Sequence, residues 1–325
     1  MITFAPVRIL LVQTAFIGDA ILATALLEKL HRFYPTAELD LLVRRGNETL
    51  FRGHPFLHEL LVWNKRSGKY RDLYRLLTHI RARRYDHLVN LQRFGATGLL
   101  TALSGARETV GFRKNPLARC FTRTLPHPIG DGTHEVTRNL ALIEHLTDAS
   151  FERPKLYPTP EDFTAVRHSG PYVCFAPTSV WFTKQWPAEN WVRLAQQMPA
   201  DHQIHLLGGP GDRTACQRIA DQITQRTVRN RAGELSFLES TALMRGARMN
   251  YVNDSAPLHL CSAVNAPVTA IFCSTVPEFG FTPLSDDATV VETSHPLDCR
   301  PCGLHGHRAC PRGHFRCAQN QLIGG

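Results

Sequence analysis

Hydrophobic positions along this chain recur with two periods. VRILLVQ at 7–13 is apolar almost without a break, as a parallel strand covered on both faces must be. DAILATALLEKLHRF (19–33) follows with apolar residues at helical spacing and stops before Pro35. AELDLLVR (37–44), ELLVW (59–63) and YDHLVNLQ (85–92) read as further strands, and SGKYRDLYRLLTHIRARR (67–84) as an amphipathic helix. Strand and helix in alternation predict an α/β domain with a doubly wound parallel sheet. RPKLYPTPEDF (153–163) has three prolines and no period, so it reads as a linker or hinge. The alternation then restarts. GPYVCFAPTS (170–179), HQIHLLGG (202–209), MNYVND (249–254) and PVTAIFCS (267–274) read as strands. PAENWVRLAQQM (187–198), RTACQRIADQI (213–223) and APLHLCSAV (256–264) read as helices between them. Two α/β domains of similar size are expected, 1–155 and 156–325, with ligands in the cleft between them at the carboxyl ends of the strands.

Length and composition agree with that division. The chain has 325 residues, 43% hydrophobic and 20% charged, ordinary for a globular protein with a large core. No apolar run reaches the roughly 18–20 residues of a membrane span. The N-terminal segment has no basic stretch followed by an apolar one and a small-residue cleavage site, so the expected location is the cytoplasm. Net charge is +9 and uneven: residues 1–150 hold 21 Lys and Arg against 13 Asp and Glu. Lys65, Arg66, Lys69, Arg71, Arg75, Arg81, Arg83 and Arg84 fall within twenty residues, with Asp72 the only acid. A basic N-terminal half suits a polyanionic partner (a phosphorylated substrate or an anionic bilayer surface), or else is a solvated face.

Three segments of the C-terminal half have the residues for a phosphate site. In PTSVWFTKQWPAENW (177–191) a strand ends in Thr178, Ser179 and Thr183 hydroxyls and the point charge of Lys184, which suit an anionic leaving group. LLGGPGD (206–212) turns from strand to helix through Gly208 and Gly209, either to let backbone approach a phosphate or as a plain turn. In VNDSAPLHL (252–260) Asp254 or Ser255 caps a helix starting near Pro257, whose first N–H groups would hold a diphosphate. In the first half Asp19 stands at the junction of a buried strand and an apolar helix, as a cap or as a working carboxylate.

Nine cysteines are present. Cys120, Cys174, Cys216, Cys261 and Cys273 are scattered through apolar surroundings and read as buried thiols in a reducing compartment. Cys299, Cys302, Cys310 and Cys317 are spaced Cys-x2-Cys-x7-Cys-x6-Cys, with His305, His307 and His314 interleaved. That spacing points to a tetrahedral zinc or iron site, or else to a disulfide or free thiols.

Taken in order, IGDAILATALL (17–27), TKQWPAENW (183–191), LLGGPGD, NDSAPLHLCSAV (253–264) and PVTAIFCSTVPEFGFTPL (267–284) make the chain similar to glycosyltransferase family 9, the ADP-heptose:lipopolysaccharide heptosyltransferases. The resemblance implies a GT-B fold, two Rossmann-like doubly wound parallel-sheet domains facing a central cleft. It implies that the first domain binds the acceptor and the second the nucleotide sugar. The activity implied is inverting transfer of heptose from ADP-heptose to a lipopolysaccharide inner-core acceptor, lipid A-Kdo or heptosyl. Asp19 matches the family's catalytic base. Lys184 matches its phosphate-binding lysine and Asp254 its helix-start acid, with Ser255, Ala256 and His259 on the same donor segment. GELSFLES (233–240) lies where the family holds the nucleotide base, with Leu235 and Ser236 the residues chosen there. Gly18, Arg66, Arg93, Arg113 and Arg138 are placed on the acceptor. No cofactor is implied for catalysis, so zinc or iron at the Cys cluster would be structural. The expected partners are ADP-heptose, a lipid-linked phosphorylated oligosaccharide and an anionic inner-membrane surface, with the enzyme peripheral on its cytoplasmic face. The chain departs from the pattern in having only AQNQLIGG after Cys317, where a final helix is expected to cross back.

Three other readings stand beside this one on sequence. Another family member using a different sugar nucleotide or acceptor has the same motifs. A basic nucleic-acid binder with a metal knuckle is disfavoured, because the basic residues lie in the half without the knuckle and no aromatic-interleaved platform accompanies them. A non-catalytic sugar-nucleotide binder would have no use for Asp19 and Lys184 together.

Overall fold

The computed structural model describes residues 6–66, 68–319 and 321. It divides into two compact units, 6–129 with 135–157, and 130–134 with 158–321. Each is built around one six-stranded parallel sheet.

In the first unit the order along the sheet is β3-β2-β1-β4-β5-β6, where β1 is Arg8–Gln13, β2 Glu38–Arg44, β3 Leu57–Trp63, β4 His87–Asn90, β5 Glu108–Phe112 and β6 Arg123–Leu125. Every ladder is parallel. Helices α1 (Ile17–Leu22), α2 (Thr24–Phe33), α3 (Lys69–Arg83), α4 (Gly95–Leu103) and α5 (Glu135–Ala141) complete it. Ile9 to Val12 are wholly inaccessible, as the unbroken apolar run requires. The chain runs β1 to β3 toward one edge and restarts at β4 beside β1. The strand order therefore reverses between β1 and β4, which is where open α/β sheets form their crevice.

The second unit repeats the plan with the order β12-β11-β10-β7-β8-β9. Its strands are β7 Tyr172–Ala176, β8 Gln203–Leu206, β9 Val228–Asn230, β10 Asn250–Asn253, β11 Val268–Phe272 and β12 Ala288–Glu292. Its helices are α6 Pro160–Ala165, α7 Ala188–Gln197, α8 Arg213–Ala220, α9 Phe237–Gly246, α10 Ala256–Val264 and the short α11 Arg316–Gln319. Phe175, Trp186, Trp191 and Leu194 pack under β7 and β8 in its core. The reversal here lies between β7 and β10.

Sequence expectation and structure part in four places. The stretch taken as linker ends in a helix: Thr159 accepts from the Asp162 N–H, Asp162 accepts from the Thr159 N–H, and Pro160 takes the first turn. The short strands β6, β9 and β12 and helices α4, α5 and α9 went unread, while β5 was expected only as the strand ending at Arg113. In α4 the weak signal has a cause. Gly98 is mid-helix because a Cβ there would strike the Asn115 side chain. Cys120 is exposed, whereas Cys174, Cys216, Cys261 and Cys273 are buried. Finally, the basic run does not stay together. In a parallel sheet the connecting helix runs back, so α3 starts near the carboxyl edge and ends at the amino edge. There Arg83 pairs with Glu38 at 3.0 Å and Asp40 at 3.4 Å.

Candidate functional site

In the first unit the carboxyl end of β1 leads through Thr14–Phe16 into α1. Asp19 is third in that helix, and its carboxylate accepts the Phe16 N–H at 3.2 Å. The capping role seen in the sequence is therefore real. The rest of the turn is held independently. The Lys65 ammonium, just beyond β3, donates to the Thr14 carbonyl at 2.8 Å and hydroxyl at 2.9 Å. The Asn47 amide donates to the Ala15 carbonyl at 3.2 Å. Gln13, itself bonded to Gln92 at the end of β4, accepts the Ala15 N–H at 3.2 Å.

This setting changes what Asp19 can do. Burial, and second the charge of Glu135, push its pKa up from 3.8 to about 6, against the Phe16 N–H and the charge of Arg44. A carboxylate near 6 is mostly ionised at neutral pH yet much more basic than a solvated aspartate, the condition wanted in a general base. Glu135 opens α5 and is buried. Burial opposes its ionisation, but His127 at 3.1 Å and Arg138 at 2.9 Å outweigh that and hold its carboxyl below the ordinary value. Replacing Glu135 with Gln removes the negative charge beside Asp19. The acid limb of the kcat/KM–pH profile is then expected to move to lower pH.

The acceptor candidates divide. Arg66, Arg93 and Arg113 are exposed at or just beyond the carboxyl ends of β3, β4 and β5, on the edge that carries Asp19, and Gly18 is its neighbour in α1. Arg138 differs from these: it is 4% exposed, and its Nε donates to the Glu135 carboxylate at 2.9 Å. Two cations on the same edge went unchosen. Arg44 ends β2 with its guanidinium 5.0 Å from the centre of the Phe16 ring. Lys65 is brought down to about 8 by burial first and then by Arg44 and Lys69. Arg44 was legible by the same strand-end signal that selected Arg93.

In the second unit the carboxyl ends of β7 and β10 meet at the reversal of strand order. After β7, Thr178 and Ser179 are partly buried and a single tight turn, Phe182–Lys184, presents Lys184. Its ammonium lies 2.6 Å from the Asp254 carboxylate, which also accepts from the Thr275 hydroxyl at 2.6 Å. Asn253 ties the two strand ends together by accepting the Trp186 N–H at 3.0 Å. Asp254 is thus partner to Lys184 and Thr275. The helix-capping position falls to Ser255, ahead of Ala256 at the start of α10, and His259 is buried one turn on.

Three donor choices have structural duties. The Thr183 hydroxyl is buried and accepts from the Ser274 hydroxyl at 3.0 Å and the His307 N–H at 2.8 Å. In the glycine turn the Asp212 carboxylate already takes the Gly209 N–H at 2.8 Å, and a Cβ on Gly208 would lie 2.8 Å from that of Asp212. Within the turn the glycine is needed beside a carboxylate of the chain itself, an arrangement that the plain-turn reading accounts for. Ser236 caps α9, accepting the Glu239 N–H at 3.2 Å, while Leu235 precedes it partly buried. Ser236→Ala is expected to cost about 1 kcal/mol in stability, read from a denaturant midpoint.

Two clusters could attract metal. Asp40, His58 and Glu59 bring ligand atoms within 4.8 Å of one another. Arg83 and the Tyr85 hydroxyl already serve these acids, so the charge there is met by protein. Cys299, Cys302, Cys310 and Cys317 line one cavity of about 330 Å³ with His314.

Residues 73–308 match glycosyltransferase family 9 (heptosyltransferase). Lipopolysaccharide heptosyltransferase 1 of Pseudomonas aeruginosa is 27% identical over 322 residues, 91% of this chain and 86% of that one. Lipopolysaccharide heptosyltransferase 3 of Escherichia coli K12 is 28% identical over 278 residues, covering 79% and 80%. The structure of E. coli ADP-heptose lps heptosyltransferase II aligns with a TM-score of 0.77 at 21% identity, over 91% of this chain and 95% of that one. The fold is GT-B, and the protein is a glycosyltransferase. More narrowly, the chain belongs to glycosyltransferase family 9.

Proposed function

We propose that this enzyme transfers heptose, with inversion, from ADP-heptose to a phosphorylated inner-core acceptor of lipopolysaccharide, lipid A-Kdo or an already heptosylated core. The observation that carries the proposal is the Asp19 carboxylate. It is fixed by Phe16, raised to about 6, and set at the strand-order reversal of a unit whose carboxyl edge holds Arg44, Lys65, Arg66, Arg93 and Arg113. Cations gather acceptor phosphates and carboxylates, and the carboxylate takes the proton of the attacking hydroxyl as its oxygen bonds to the anomeric carbon. The bond from that carbon to the diphosphate oxygen breaks, and ADP leaves. Its charge falls to the second unit, to Lys184 and the first turn of α10. The sugar and the acceptor class follow the relatives, which are named for lipopolysaccharide heptosyl transfer.

No helix among the described residues is long and apolar enough to cross a membrane. Contact with an anionic membrane surface is assigned to the basic first unit. The Cys-rich segment is assigned no group that takes part in the transfer and is taken as a structural site for zinc or iron.

A thermal-shift panel of nucleotides and nucleotide sugars tests the donor. ADP and ADP-heptose are expected to raise Tm most. Stabilisation by UDP or GDP sugars with none by ADP would transfer the enzyme to another donor.

A further inference from the structure

The Cys-rich segment is bonded to the residues that support Lys184 and Asp254 at the proposed donor phosphate site. The His307 N–H donates to the Thr183 hydroxyl at 2.8 Å, and the Thr183 N–H returns to the His307 carbonyl at 3.1 Å. Gly306, at φ +76°, has to be glycine because a Cβ would lie 2.8 Å from that hydroxyl. Phe315 packs on Phe182, ring centres 5.0 Å apart. The Cys302 N–H donates to the Ser274 carbonyl at 2.8 Å, and the Ser274 hydroxyl donates to Thr183. Arg300 donates to the Thr275 carbonyl at 2.7 Å, and Thr275 holds Asp254. Lys184 and its partner Asp254 therefore both rest on residues 300–315.

By chemistry, four thiols are the donor set of a thiophilic ion. All four face one cavity. His314 Nδ1 accepts the Arg316 N–H at 3.1 Å, so in the neutral ring Nε2 carries the proton, and it lies 3.7 Å from Cys299 Sγ. That is an N–H···S contact of the kind that supports a metal thiolate from outside. No three of these ligand atoms lie within 4.8 Å of one another, whereas thiolates around zinc at about 2.3 Å sit roughly 3.8 Å apart. A bound ion would therefore have to draw the segment inward.

We infer that a divalent zinc or ferrous ion bound by Cys299, Cys302, Cys310 and Cys317, with His314 behind Cys299, tightens the segment on Thr183 and so positions Lys184 for the donor diphosphate. The coupling half of this inference rests on the proposed donor site. The metal half does not.

Cobalt(II) serves as the probe. The full-length protein is expected to purify with about one zinc or iron per chain. After chelation and loading, cobalt should give the visible bands of tetrahedral thiolate coordination. Cys302→Ser and Cys310→Ser should lose those bands. ADP affinity, measured by calorimetry, should fall about tenfold on stripping and return on adding zinc. Thr183→Val should keep the cobalt spectrum yet show the weakened ADP binding. Absence of zinc, iron and cobalt uptake overturns the metal site. Equal ADP affinity in loaded and stripped protein overturns the coupling. If loaded wild-type protein binds no adenine nucleotide, the donor assignment fails and the coupling with it, while the cobalt spectrum still decides the metal site.

Discussion

Asp19→Asn is expected to lower kcat by about 10²–10⁴ and, at the same time, to stabilise the protein. Asn can still accept the Phe16 N–H, so the cap survives and only the base is lost. The stability gain follows from the pKa. The folded state holds this carboxyl at about 6, and the unfolded chain near 3.8. The native state binds the proton more tightly, so the favourable contribution is complete below pH 4 and disappears as pH rises through 6. Above that, the ionised buried carboxylate is a cost of up to about 3 kcal/mol, and partial solvent access reduces it to roughly 1–2. The variant should therefore unfold at a higher denaturant concentration than wild type at pH 8 and at nearly the same one at pH 4. In the wild type, kcat/KM should rise with pH up to about 6 and then level. Turnover within tenfold of wild type in the variant would place the base elsewhere. A stability gain at pH 8 with full activity would leave Asp19 as a strained cap and nothing more.

What the sequence made legible follows from which signals are local. Apolar runs identified β1, β2, β7 and β11, because strands buried on both faces leave no other pattern, and the alternation around MNYVND identified β10. Asp19 follows the end of β1 in the first unit, and Lys184 and Asp254 follow the ends of β7 and β10 in the second, so these candidates stood out from the same runs. Short edge strands such as β6 and β9 lack such a run and passed unread. Partnership was the larger gap. Nothing local in THEVTRN distinguishes an arginine that reaches solvent from Arg138, which turns to Glu135 three residues back. Nor does GGPG separate a phosphate loop from a turn whose own Asp212 takes the free N–H. Thr183 was chosen for its hydroxyl, but that hydroxyl is satisfied by Ser274 and His307, 91 and 124 residues away. Only tertiary contacts hold that information. Glu135 falls in the same category: an acid that raises another acid's pKa is invisible until both are placed.

Lys184→Met is expected to lose about 10²–10³ in kcat and to weaken ADP binding, since the leaving diphosphate loses its point charge. The Lys184–Asp254 pair complicates that result. Their side chains are 14% and 6% exposed, and removing the cation leaves a buried carboxylate with only the Thr275 hydroxyl. Breaking a buried pair in this way costs about 3 kcal/mol, so the single variant will be unstable for reasons unrelated to phosphate. Asp254→Asn in the same chain removes the stranded charge and keeps an acceptor for Thr275. The double variant should regain most of the lost stability, because a buried pair replaced as a unit is close to neutral. If Lys184 serves the leaving group, activity and ADP affinity will not return with stability. If the pair exists only to join the ends of β7 and β10, the double variant will recover both. Denaturant midpoints and ADP calorimetry on the two variants separate these outcomes, because a structural pair predicts that the two measurements rise together and a phosphate-binding lysine predicts that they part.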